Sequence, residues 1–165
     1  MRMAATIAAM VLALAFACAE GAPVPAWEAD VTASSIPAAA ANGMVHGVAF
    51  KIDDASISHG ILHLKQGTDF FADQEFAVFT FVMRGPLDGK KFVVKPAGGV
   101  GQPHVHLKYK VAGKHTPEIE IFTKGYTMQL EFGTASGKKL PGKIYLCLPD
   151  TAKSFVVGTF EADTQ

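Results

Sequence analysis

Cysteine is nearly missing from this chain: there are two, Cys18 and Cys147. Cys18 falls in a stretch that reads as a processed leader, so Cys147 is left without an intrachain partner. A disulfide framework and a cysteine-ligated zinc site are therefore excluded. Net charge is missing too. Fifteen basic residues balance fifteen acidic ones, and no run of four or more like charges occurs. A general nucleic-acid binder needs a basic surface to neutralise phosphates, and an anionic-membrane patch needs a basic cluster; this chain has neither. Several motifs are absent as well. The glycine-rich stretch at residues 96–101 lacks the Gly-Lys-Ser/Thr ending of a phosphate loop. There is no G-x-S-x-G elbow and no twelve-residue calcium loop. No long amphipathic helical stripe and no internal repeat is present.

What remains is a chain that is 49% hydrophobic and only 18% charged, ample for a packed core and too apolar for disorder. Its first nineteen residues read as a signal peptide. Arg2 supplies a positive start, residues 4–17 an apolar run too short to span a bilayer, and Ala15-Phe16-Ala17 and Ala17-Cys18-Ala19 two small-residue cleavage sites. Export to the periplasm, the cell envelope or the outside follows. Leu14-Ala15-Phe16-Ala17-Cys18 also resembles the lipobox of bacterial lipoproteins, which implies a lipid anchor at Cys18 as the one route to a membrane. The leucine stands four residues before the cysteine instead of three, and bulky Phe16 lies between. Residues 20–42, rich in Ala and Pro and carrying the lone Trp27, read as a linker with few buried contacts. The domain proper is expected over 43–165.

Within that domain the grammar is short strands between Gly, Pro and Asp turns. Ile144, Leu146 and Leu148 alternate with Lys143, Tyr145 and Cys147, a strand with one buried face that stops at Pro149-Asp150. A second β-branched run at 155–160 completes a hairpin. Further strands are expected over 44–52, 55–65, 75–83, 91–95, 104–111, 118–122 and 125–132. The 55–65 strand changes phase midway, because Ala55 and Ile57 point one way and Leu62 and Leu64 the other. A β-bulge near Gly60 would account for that. Nine such strands without a helix predict an all-β fold, specifically an antiparallel β-sandwich of eight or nine strands in one domain.

Two sets of side chains stand out. Phe70 and Phe71, flanked by Asp69 and Asp73, place aromatics beside hydrogen-bonding acids on a loop. That combination grips sugars or peptides elsewhere, and its alternative is a Phe plugging the end of the sandwich. The second set is His104 and His106, which share a strand face and so could hold copper or zinc between them, with Met44 and His46 as a soft third partner. His104-Val105-His106 is similar, over these three residues, to the metal strand of the copper/zinc superoxide dismutases. The likeness ends there, since Leu107-Lys108-Tyr109-Lys110 follows and Lys108 and Lys110 repel a cation on the same face. The competing reading is a solvated face of two His and two Lys. The sequence thus points to an exported, non-catalytic binding protein without cofactor, its partner an unknown small molecule, glycan or protein and not a nucleic acid. A copper- or zinc-binding protein is the alternative.

Overall fold

The computed structural model describes residues 26–82 and 86–164. The expected leader, with Cys18, lies outside them. Among the described residues there is no helix. Eleven strands form one sheet: β1 (Asn42–Val45), β2 (Val48–Lys51), β3 (Asp54–Ser58), β4 (Ile61–Gln66), β5 (Gln74–Phe79), β6 (Lys91–Val94), β7 (His104–Tyr109), β8 (Glu118–Phe122), β9 (Thr127–Phe132), β10 (Lys139–Cys147) and β11 (Phe155–Thr164). The all-β class expected from the alternation is what the chain adopts.

The strand count rises because two expected strands are hairpins. Residues 44–52 fold back at His46-Gly47, and residues 55–65 at His59-Gly60. All four turn residues have positive φ, at 48° and 79° in the first turn and 51° and 75° in the second. Two-residue turns of this hand match the twist of the flanking strands. Gly enters positive φ freely, and His does so more readily than most side chains. The phase change near Gly60 is thus a chain reversal, and no bulge is needed.

The sheet is mixed where pure antiparallel pairing was expected. Its path runs β6-β9-β10-β11-β3-β4-β5-β7-β8, with β1 and β2 attached beside β11. Every pairing is antiparallel except that of β11 with β3, which join in parallel through Asp163↔Ser56 and Thr164↔Ile57. This short seam lets the sheet curl into a half-barrel, so that one layer (β2-β1-β11-β10-β9-β6) faces the other (β3-β4-β5-β7-β8). Between them lies one core. Met128, Leu130, Ile144, Leu146 and Val156 come from the first layer, and Leu62, Leu64, Phe76, Val78, Val105 and Leu107 from the second. Phe50 of β2 meets Phe76 of β5 edge-on at 5.0 Å across the gap, a preferred aromatic geometry.

Residues 26–41 are not a free linker. They run along the outer face of β10 and β11 and close a second, smaller core of Val31, Tyr145, Cys147, Phe155 and Val157, flanked by Trp27 and Ile36. The Trp27 indole donates to the Leu148 carbonyl at 2.7 Å, and the Val31 amide donates to Thr127 Oγ1 at 3.1 Å. Gln129 Nε2 donates to the carbonyls of Val31 and Ser34. Ala39 and Ala41 then exchange main-chain bonds with Thr159. Ala/Pro composition conceals this because the partners of the segment lie about a hundred residues away. The strap also explains why β10 is buried on both faces: Tyr145 and Cys147, the expected outer residues, lie beneath it.

Candidate functional site

The outer face of the second layer carries the chemistry. Register lines its side chains up in rows across β3, β4, β5, β7 and β8. One row reads Asp54, Lys65, Glu75, Lys108 and Ile119; the next reads Ser56, His63, Ala77, His106 and Ile121. At the end of the first row the 67–73 loop brings Phe70 and Phe71 to the rim. Phe71, Ile119, Lys65, Glu75 and Lys108 then line a cleft of about 300 Å³ with Phe70 at its edge.

The loop is held by a lysine clamp. Lys110 Nζ lies 2.9 Å from Asp69 Oδ2 and 2.7 Å from Asp73 Oδ1. The Asp73 amide donates to the Gln66 carbonyl, and the Lys110 amide donates to the Asp73 carbonyl. Hydrogen bonding to Asp73 and Asp69 raises the Lys110 ammonium above its ordinary range, and the same lysine lowers the Asp69 carboxyl. The expected loop acids thus brace the loop through Lys110. The expected aromatics do face solvent: the Phe70 ring is 95% exposed, with Phe71 packed edge-on against it at 4.9 Å. Neither ring plugs the sandwich.

The floor of the cleft escapes sequence reading. Glu75 is buried, and its Oε1 is 2.7 Å from His63 Nδ1 and 3.1 Å from Lys108 Nζ. Burial pushes this carboxyl upward, but the His63 hydrogen bond and the Lys108 charge outweigh it and leave it below the usual glutamate value. Glu75 is thus a fixed negative charge between two donors. Its partners are twelve and thirty-three residues away along the chain, and only the register of three strands reveals them.

The histidines do not converge. His104 and His106 lie on the outer face of β7, His104 edge-on to Phe81 at 4.7 Å and His106 over Phe79 at 4.2 Å. Burial, then the charge of Lys108, lowers the His106 pKa and favours its neutral ring. His46 lies on the other side of β7. It packs against Tyr109 at 4.2 Å, in phase with inward-facing Val105 and Leu107. Its Nε2 is 3.0 Å from Glu120 Oε1, off the direction of a hydrogen bond, and that oxygen already accepts from Tyr109 OH at 2.8 Å. Burial and the Glu120 bond push the Tyr109 phenol up to about 12. Among the described residues no three His, Cys, Asp or Glu side chains gather as a metal site would require. The three-histidine set is corrected accordingly, because an alternating strand sends His104 and His106 to one side and Tyr109, on which His46 rests, to the other.

Nucleophile chemistry finds no assembled group at these positions. The Cys147 thiol is buried under the strap, accepts from the Glu28 amide at 3.3 Å, and is pushed by burial up to about 12. Ser154 Oγ donates to Asp150 Oδ2 and accepts from the His46 amide, so it ties a turn in place. No family model, curated protein or solved structure matches the chain.

Proposed function

We propose that this chain is an exported, non-catalytic binding protein of the cell envelope or the extracellular space, with the Phe70–Phe71 cleft as its recognition site. One observation carries the reading: a nearly fully exposed aromatic ring stands at the mouth of a cleft whose floor is a buried, braced carboxylate. An apolar ring held in water gains on contact with an apolar surface, and a fixed charge adds direction. That pairing suits the C–H face and hydroxyls of a sugar, or a short peptide with an aromatic or basic group. The reading assigns no cofactor, and the charge balance of the chain speaks against a nucleic-acid partner. The copper or zinc alternative has no geometric support among the described residues.

The experiment is a glycan and peptide binding panel on the purified exported protein, repeated with Phe70→Ala/Phe71→Ala. A ligand lost in the double variant while the melting temperature holds supports the reading. A ligand that binds both proteins equally, or a panel without any binder, overturns it. N-terminal sequencing of the exported form should begin between Cys18 and Pro23, and an intact Met1 would remove the export claim. An acylated Cys18 would identify a lipoprotein.

A further inference from the structure

Over residues 118–121, strand β8 is inside out relative to its layer, and only its last residue, Phe122, packs against the core. In β4, β5 and β7 the inward positions are apolar: Leu62, Leu64, Phe76, Val78, Val105 and Leu107. In β8 the inward positions opposite Tyr109 and Leu107 are Glu118 and Glu120, while Ile119 and Ile121 point outward at 53% and 59% exposure. The strand also ends the sheet: among the described residues β7 is its one partner, and its far edge holds no ladder bonds. The opposite terminal strand, β6, is guarded in the usual way: Lys91 is paired with Glu131 and flanked by Lys90 and Lys95. β8 carries no lysine within its span; its charges are the inward-facing Glu118 and Glu120, with Pro117 before the strand and Lys124 after it. Its two acids engage groups of the chain through Oε1, Glu118 with Lys114 and Glu120 with Tyr109, with His46 Nε2 also 3.0 Å from that Glu120 oxygen.

We propose that β8 is a strand-acceptor edge for a partner polypeptide whose extended segment alternates apolar with Lys or Arg residues. Main-chain bonds to the free edge supply affinity, and alternate side chains supply specificity. Apolar residues of the incoming strand extend the Ile119–Ile121 row on the outer face. Its basic residues meet Glu118 and Glu120 on the inner one. A second copy of the chain does not satisfy this edge. Pairing β8 with itself so that apolar meets apolar sets Glu118 or Glu120 against another glutamate in most registers, and like charges directly opposite are destabilising. The edge is distinct from the Phe70–Phe71 cleft and shares only Ile119 with it, so Ile121 is the position to probe.

The test uses a short, capped, fluorescent peptide alternating lysine and valine, titrated by anisotropy into the exported protein, with an alternating glutamate–valine peptide as control. Saturable binding of the lysine peptide, with slowed amide exchange confined to β8 and its neighbours, is the expected result. Ile121→Lys should weaken that binding by about tenfold or more, since it removes an apolar cross-strand contact and adds a repelling charge. Phe70→Ala/Phe71→Ala should leave it unchanged, so a failed cleft and a failed edge give different patterns. Equal binding of the glutamate peptide, unchanged β8 exchange on binding, or a peptide-free dimer abolished by Ile121→Lys each overturns the proposal.

Discussion

The two outer faces of this curled sheet meet the same problem differently. On the β10–β11 side the outward residues are Tyr145, Cys147, Phe155 and Val157, and the chain folds its own segment, residues 26–36, over them. On the β4–β5–β7–β8 side the outward residues are polar near the centre, where His63, Lys108 and Glu75 satisfy one another, and bare apolar at the rim, where Phe70, Ile119 and Ile121 stand in water. The first face is finished internally by an apolar strap and side-chain hydrogen bonds. The second has a finished middle and an unfinished border. The described residues cover one apolar face with a segment of their own and leave the other border uncovered, and binding is what we infer from that difference.

The comparison can be broken first at the interior that both layers share. Leu146 is fully buried in the common core, and Leu146→Ala should cost about 2–5 kcal/mol in a denaturant melt. A neutral result would mean that the layers do not pack on this residue. The strap comes next. Val31 is fully buried, and Val31→Ala should cost about 2 kcal/mol from lost apolar burial and the cavity left behind. Removing residues 26–36 should also open Cys147 to a thiol reagent at pH 8, where burial now keeps it protonated and unreactive. Unchanged stability and an unchanged labelling rate would return the segment to the status of a linker.

On the open face the effects are smaller. Glu75 titrates lower in the folded protein than its ordinary value of 4.5. Its contribution to stability is therefore complete at neutral pH, where the carboxylate is charged in both states. It fades as pH falls below the unfolded value and through the native one. His63→Ala removes a hydrogen bond to the charged form and raises the native value toward the ordinary one, so the loss of stability on acidification should be smaller in melts run as a pH series. Superimposable profiles would sink the proposed bracing of the cleft floor. The smallest effect belongs to His104, on the outer face against Phe81. His104→Ala should change stability by no more than about 0.5 kcal/mol, with or without added zinc or copper. A metal-dependent loss would revive the metal reading.

Much of the architecture was readable in the residues. Alternation in β7 places Val105 and Leu107 inside, and alternation in β10 does the same for Ile144 and Leu146; both sets are fully buried. Pro149 and Asp150 end β10 as their chemistry requires. The His-Gly turns were missed because Asn-Gly and Asp-Gly are the familiar signals for that backbone, and histidine enters it less often. In the cleft, Phe70 and Phe71 were legible as exposed loop aromatics. Glu75, with His63 and Lys108, was not, because its role depends on cross-strand register.

The sequence by itself determined the class of fold, most of the extended segments and, within each strand, which side chains share a face, since a period of two is a local property of an extended chain. Only the tertiary structure decided what each face meets. It set the strap on β10 and β11, separated His46 from His104 and His106, braced Glu75 over the cleft floor, and left β8 acidic within and apolar without at an open edge. Pairing register and layer contact join residues far apart in the chain. Their energies lie in surfaces that exist only once the strands are assembled, and no local pattern encodes them.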